Sequence, residues 1–387
     1  MDDTTLKLRM VESLSDIDRD AWDAIANPTG RTFDPFLSWD FLEALESSGA
    51  AIPETGWTPA HLLVEGPDKS LRAAMPLYAK THSQGEFVFD HSWADAYYRA
   101  GGQYFPKLLT GVPFTPVTGR RLLTPPGPDE STLQRALLAG AIQLAEQNEF
   151  SSLHINFLEA DAAEALKQDG MMIRTDQQFH WQNDGYESFD DFLAALSSAK
   201  RKNLRKERKK AQMGLRFDHV TGKDITEAHW DAFYEFYLDT GQRKWGSPYL
   251  NRETFSVLGQ RMSEHILLIF AMDGDRPIAG AMNMIGSDAL FGRYWGCIEQ
   301  RPMLHFETCY YQAIDFAIER GLKTVEAGAQ GGHKLARGYG PVKTYSAHWI
   351  AHPGLRDAIS DYLKRERAAV DHEQGYLQER TPFRKGD

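Results

Sequence analysis

The chain repeats itself, and this constrains its fold more than any other feature. The stretch HLLVEGPDKSLRAAMPLYAKTHSQGEFVFDH, starting at 61, lines up with ILLIFAMDGDRPIAGAMNMIGSDALFGRYWG, starting at 266, at a shift of about 205 residues. Hydrophobic pattern and turn agree together: Gly66-Pro67-Asp68-Lys69 in the first copy, Asp273-Gly274-Asp275 in the second. Agreement at both levels in a chain of 387 residues points to two units of one architecture, not one large core.

Hydrophobic periods extend the match. The first half reads as a strand at 6–13, helices at 16–25 and 38–45, strands at 61–66, 70–81 and 86–91, a helix at 131–147 and a strand at 152–158. Residues 101–130, rich in Gly and Pro, read as long ordered loops. A helix near 160–169 and a strand near 171–181 follow, then one long helix from about 188 to 213. The order then restarts: a strand at 215–220, helices at 226–240 and 252–262, a hairpin over 265–286, a strand at 289–296, a helix at 306–320 and a strand at 323–328. Strand, two helices, antiparallel meander, helix and strand is the order of the GNAT (acyl-CoA N-acyltransferase) fold. The expectation is an α/β (α+β) protein of two such domains, 1–185 and 186–387, each a mixed, mainly antiparallel sheet flanked by helices, with substrate between them or along one face.

Composition excludes other classes. A net charge of −11 argues against a chain-wide nucleic-acid footprint. Two cysteines, Cys297 and Cys309, form neither a disulfide framework nor a zinc pattern. The start MDDTTLKLRM lacks the features of a signal peptide, and no apolar run reaches the ~18 residues of a membrane span. A cytoplasmic protein without membrane insertion, monomeric or homodimeric, is expected.

FGRYWGCIEQRPMLHFETCYYQAIDFAIERGLKTVEAGAQGGHKLARGYGPVKTYSAHW (291–349) resembles the signature of the FemAB-like, peptidoglycan biosynthesis/recognition family of the GNAT superfamily. FLSWDFLEALESSGA (36–50), VFDHSWADAYYRAG (88–101) and PFTPVTGRRLLTPPG (113–127) are similar to the same family. The resemblance implies transfer of an acyl or aminoacyl group to an amine. The donor is aminoacyl-tRNA, as in the Fem aminoacyltransferases, or acetyl-CoA or another acyl-CoA, as in other members. The acceptor is a small molecule or a muropeptide of the cell-wall precursor.

Candidate site residues fall in three places. AKRKNLRKERKKA (199–211) holds eight Lys or Arg and one Glu. At 100° per residue, Lys200, Asn203 and Glu207 lie on or beside the apolar stripe that includes Leu204 and Ala211. An inward lysine needs an anion, so Lys200, Arg201 and Asn203 are expected to bind substrate. Lys202, Lys206, Lys209 and Lys210 read as a solvated face, with tRNA phosphates the alternative. In the second half, alternation puts Arg293 and Trp295 on one face of a strand and Tyr294 on the other. His305 and Glu307 open the next helix at the mouth of the expected cleft, where either accepts a proton from the attacking amine. EAGAQGGHKLARGYGP (326–341) supplies Glu326, Gln330 and His333 for substrate, Lys334 and Arg337, with Arg293, for donor phosphates, and Tyr339 as proton donor to the leaving group. In the first half Asp90, His91, Trp93, Asp95 and Tyr97 crowd together, either bracing the fold or stacking a sugar or peptide. No metal and no covalent enzyme intermediate is expected, since no Gly-x-Ser-x-Gly elbow occurs. The rival reading is a non-catalytic GNAT-fold protein that recognises a peptidoglycan fragment.

Overall fold

Both repeated hairpins form in the computed structural model, which describes residues 6–244, 248–328 and 331–384. Leu62 pairs with Met75 in the first and Ile266 with Met284 in the second. The strands in chain order are β1 (Lys7–Val11), β2 (Trp57–Pro59), β3 (His61–Glu65), β4 (Leu71–Met75), β5 (Tyr78–Lys80), β6 (Lys107–Thr110) and β7 (Ser152–Leu158). They continue with β8 (Met172–Gln182), β9 (Arg216–Thr221), β10 (Ile266–Asp273), β11 (Arg276–Ile285), β12 (Ala289–Cys297), β13 (Thr324–Glu326) and β14 (Gly340–Ile350). The helices are α1 (Arg19–Ala26), α2 (Trp39–Ser47), α3 (His91–Arg99), α4 (Glu130–Gln147), α5 (Ala160–Gln168), α6 (Phe189–Ala195) and α7 (Ser198–Ala211). They continue with α8 (Glu227–Lys244), α9 (Arg252–Met262), α10 (Leu304–Phe306), α11 (Gln312–Glu319) and α12 (Pro353–Gln378).

The chain divides into two units, Met1–Asp176 with Lys343–Asp371, and Gln177–Val342 with His372–Asp387. Against the sequence division at 185, residues 343–371 therefore return to the first unit. In unit 1, β1-β3-β4 form one sheet and β2-β5-β6-β7-β14 run in order, with β6 and β7 parallel and β14 antiparallel to β7. Within unit 2 the order is β8-β13-β12-β11-β10-β9, with β12 and β13 parallel and β8 antiparallel to β13. Each unit is thus an antiparallel run, one parallel pair and one closing antiparallel strand.

Three local expectations are corrected. The strand expected over 70–81 is two strands broken at Pro76, whose ring removes a ladder donor. EFVFDH (86–91) is not a strand: Phe87 has φ 58°, outside the extended region, and His91 opens α3. The strand beside β7 is instead β6, inside the stretch read as loop. The helix expected over 188–213 is two helices. Leu196 is extended, buried and bridged to Phe383, and the Ser197 N–H donates to the Pro382 carbonyl, so a short strand-like contact interrupts the helical run.

The core of unit 1 packs Leu133, Leu137, Leu138 and Ala141 of α4 on Leu62, Val64 and Met75 of the hairpin and Leu153 and Ile155 of β7. Unit 2 packs Ile314 and Ala317 of α11 on Ile269 and Val325, with Trp181, Phe192 and Leu204 in the same cluster. Leu204 is the large apolar side chain through which α7 is buried.

Candidate functional site

The site is built where β12 leaves β13. The two strands pair in parallel at only three positions, ending at Phe291↔Glu326. Beyond that point β12 runs on to Cys297, held by β11, and alternate backbone N–H groups of a strand point away from its partner. At the same place β12 bulges: Asn283 pairs with Gly292 and Met282 with Tyr294, so Arg293 is the extra residue. A bulge re-aims a side chain and breaks alternation, which corrects the expectation that Arg293 and Trp295 share a face by simple period. Arg293 is held at the fork, its guanidinium 3.2 Å from Glu326 Oε2 and 3.0 Å from its neighbour's carbonyl, Gly292 O. Tyr294 packs on Tyr237 and Phe255, while Trp295 packs on His305.

Glu326, at the end of β13, also lies 3.9 Å from His180 Nδ1 on β8. Burial lowers the His180 pKa, so this imidazole is neutral near pH 7. Lys334 is 2% exposed and donates to Gly328 O at 2.8 Å. Burial, then the nearby Arg293 charge, brings its pKa down to about 8. Gln330 lies outside the described residues.

The second wall is aromatic. His305 lies 5.1 Å from Trp295, 5.3 Å from Tyr310 and 6.3 Å from His333, ring centre to ring centre. The Tyr310 hydroxyl and His333 Nε2 are 3.0 Å apart. Burial raises the Tyr310 pKa, so its proton stays on at neutral pH. The wall is shaped by a π-helical turn, Glu307–Tyr311, between α10 and α11, a rare conformation that is frequent at functional sites.

Two expected donors or ligands sit elsewhere. Arg337 is buried: it donates to His333 O at 2.7 Å and Glu207 at 2.9 Å, and stacks 3.4 Å above the Phe306 ring. Those contacts use its charge inside the protein and leave none for a phosphate. Tyr339 is fully buried, with its hydroxyl donating to Tyr310 O at 3.3 Å, a core position and not an exposed proton donor. Glu207 accepts from Tyr311 as well as from Arg337.

Glu307 is not at a mouth but enclosed, at 0% exposure. Its Oε1 accepts from Gln312 at 2.7 Å, Gln212 at 2.8 Å and Arg208 at 3.2 Å, and Arg208 also pairs with Asp315. Burial raises its pKa and the Arg208 charge opposes that rise. Arg208 and Glu207 are thus the charged side chains that α7 sends inward. Lys200 and Arg201 are half-buried, whereas Asn203 is exposed. The break at Leu196–Ser197 restarts the helix, so a single helix drawn from 188 misplaces that residue.

In unit 1 the expected cluster separates. His91 and Asp95 are exposed on α3, and Tyr97 is half-buried against His352. Asp90 and Trp93 turn inward to a network missing from the sequence reading. Lys107 Nζ donates to Glu86 at 2.8 Å, Ser83 at 3.0 Å and Asp90 at 2.5 Å. Tyr104 donates to Asp90, and His154 meets Ser152, Tyr104 and His348. Trp93 lies edge-on to His348 and under Arg174. Burial keeps both histidines neutral. The one available signal was a lysine opening the apolar run Lys107-Leu108-Leu109 after a proline. Among the described residues no group of three or more His, Cys, Asp or Glu is arranged to hold a metal, and no helix is long and apolar enough to cross a membrane.

Solved structures share this architecture. The crystal structure of FemX is 14% identical with a TM-score of 0.55, covering 89% of this chain and 98% of that one. L-PGS from Bacillus licheniformis is 11% identical with a TM-score of 0.51, covering 87% and 98%. The C-terminal domain of a putative lysylphosphatidylglycerol synthetase from Agrobacterium fabrum is 8% identical with a TM-score of 0.51, covering 92% and 98%. With the strand order, they give the expected fold, tandem GNAT-like domains of mixed sheet flanked by helices. No curated protein sequence matches the chain. The profile of one family, described as peptidoglycan biosynthesis/recognition, matches residues 13–385, and the chain belongs to that FemAB-like family.

Proposed function

We propose that the chain is an acyl- or aminoacyl-transferase acting on an amine of a peptidoglycan precursor, and that unit 2 carries the transfer. One observation carries this reading: β12 bulges at Arg293 and parts from β13 at the same point, with Glu326 and His180 at the fork and Trp295, further along β12, packed against His305. The corresponding point in unit 1 is filled by the chain. Gly119 N–H donates to Phe157 O, and Arg121 donates to Asn156 O and Val117 O, just past the last β6–β7 pair. That closure supports unit 2 as the reacting unit.

In this reading a neutral acceptor amine attacks the donor carbonyl. The new N–C bond forms as the C–O bond to tRNA, or the C–S bond to CoA, breaks. Backbone amides of β12 past Phe291 stabilise the oxyanion. His305 accepts the amine's proton and returns it to the leaving group. Lys334, whose ammonium meets the Gly328 carbonyl, holds an anionic portion of the substrate, Arg293 paired with Glu326 orders the fork, and the half-buried Lys200 and Arg201 bind a carboxylate or phosphate of the acceptor. The loop after β12 favours aminoacyl-tRNA over acyl-CoA. It lacks glycine, and its Arg301 is engaged by Asp273 and Glu299, a poor cradle for a pyrophosphate. Both donors belong to the cytoplasm. The same loop, with Arg337 committed to Glu207, favours a second reading in which the protein recognises a peptidoglycan fragment without catalysis.

Thermal melts test the proposal. A ligand of the folded state at 100 times its dissociation constant adds about 2.7 kcal/mol. A UDP-linked muropeptide and an aminoacyl-tRNA are each expected to raise Tm, and Lys334→Met to abolish the donor's shift. A muropeptide shift with no donor shift selects the recognition reading, and no shift with either ligand refutes both.

A further inference from the structure

We propose that the solvent face of α7 docks on an anionic lipid surface, with its lysines and arginines meeting the phosphoryl headgroups. The helix is two-sided. Leu204, Ala211, Glu207 and Arg208 face the protein, whereas Lys202, Arg205, Lys206, Lys209 and Lys210 are exposed and Arg201 is half-buried. Arg205 shares an exposed pair with Asp190 at 2.9 Å. Arg201, Lys202, Lys206, Lys209 and Lys210 have no acidic partner among the described residues. Arg201, Lys202, Arg205, Lys206 and Lys209, with Ser198, line one shallow concavity.

Cations at i and i+4, as at Lys202/Lys206, Arg201/Arg205 and Arg205/Lys209, repel one another and weaken a helix. The helix carries that repulsion in a chain whose net charge is −11, so the positive field is local and one-sided. Clusters of four to eight Lys or Arg on one helix face match anionic membrane surfaces. From Arg201 to Lys210 the stripe is about 14 Å long at 1.5 Å per residue, long enough to lie along a plane. Met213, directly after the C-cap Gln212, is 71% exposed, and an apolar side chain beside lysines suits the headgroup boundary. RNA binding draws on aromatic stacking, and the exposed aromatics Phe89, Tyr98, Tyr362 and Tyr376 lie on other segments. Of this stripe only Arg201 also enters the acyl-transfer reading; Lys202, Lys206 and Lys209 do not.

The test is co-sedimentation of the full chain with vesicles of about 30% phosphatidylglycerol in phosphatidylcholine, at low and high salt. Each cation near an anionic surface is worth roughly fivefold in affinity. The K202Q/K206Q/K209Q variant, all three at exposed sites, is expected to bind roughly 100-fold more weakly with a Tm equal to or slightly above that of wild type, since the i,i+4 repulsion is relieved. Pure phosphatidylcholine is expected to bind neither protein, and high salt to release the wild type. Equal binding by the variant, or no binding of wild type to the anionic vesicles, overturns the proposal. A tRNA transcript that binds more tightly than the vesicles with the same lysine dependence also overturns it and assigns the stripe to RNA.

Discussion

Replacing Lys107 by Met removes a cation on which two buried carboxylates depend. The lysine is 0% exposed, and its ammonium is hydrogen-bonded to Glu86 and Asp90, both themselves buried. Burial lowers the lysine's pKa, but the two carboxylates outweigh it and raise the net value. Burial would likewise raise Asp90, yet Lys107 holds it well below its usual range. Glu86 stays up at about 7, because its burial outweighs the same lysine, and its Oε1 is buried without a hydrogen-bond partner among the described residues. Removing one member of a buried ion pair costs about 3–5 kcal/mol. At 2–4 °C per kcal/mol for a unit of this size, Tm falls by roughly 6–20 °C.

The sign of the pH dependence follows. In Lys107→Met both carboxylates have raised pKa values in the folded state, so the folded chain binds protons that the unfolded chain releases. Stability is then lost as pH rises from about 4 to beyond 7, since Glu86 loses the lysine that held it down, and the gap to wild type narrows in acid. Calorimetric melts from pH 4.5 to 8 measure this, and E86Q/D90N added to Lys107→Met should recover much of the loss. A variant within 2 °C of wild type at pH 8, or a gap that ignores pH, refutes this account of the network.

Three further outcomes are expected. Lys334, with a folded pKa of about 8, makes wild-type stability rise as pH goes from about 8 to 10.5, where only the unfolded chain holds the proton; Lys334→Met should erase that slope and stabilise by up to about 3 kcal/mol at pH 7 in melts. Glu307→Gln keeps the shape but weakens the bonds from Arg208, Gln212 and Gln312, so Tm should fall by the equivalent of about 1–3 kcal/mol while turnover stays within about tenfold; a loss of 100-fold would make Glu307 the proton acceptor. Leu204→Ala removes the main apolar anchor of α7 and should cost about 2–4 kcal/mol in denaturant melts.

The hairpins and the strand leading to Trp295 were legible because period and turn chemistry agree locally. So were the long apolar helices, such as α4. β6 was hidden because four residues between Pro106 and Gly111 carry too short a pattern to rise above their loop-like surroundings. The break at Leu196–Ser197 depends on a bridge to Phe383, nearly 190 residues away, and leaves no local mark. The candidate site was half legible. Arg293, His305, His333 and Lys334 stand in the segment that also carries the family resemblance; the structure sets Arg293 at the fork against Glu326, and His305 beside Trp295 and His333. Arg337, Tyr339 and Glu307 looked equivalent to them in sequence, but their burial is set by Glu207, Arg208 and Gln212 on a distant helix. Lys107, His154 and His348 meet only through tertiary pairing.

Acyl transfer at the fork between β12 and β13, with His305 as proton acceptor, leaves a product that can be weighed. The direct measurement is mass spectrometry of a muropeptide incubated with the protein and either aminoacyl-tRNA or acyl-CoA, comparing wild type with His305→Ala. A mass increment of one aminoacyl or acyl group is expected with wild type, and kcat lower by about 10²–10⁴ in the variant with little change in KM. No increment with either donor, or turnover unchanged by His305→Ala, would contradict it.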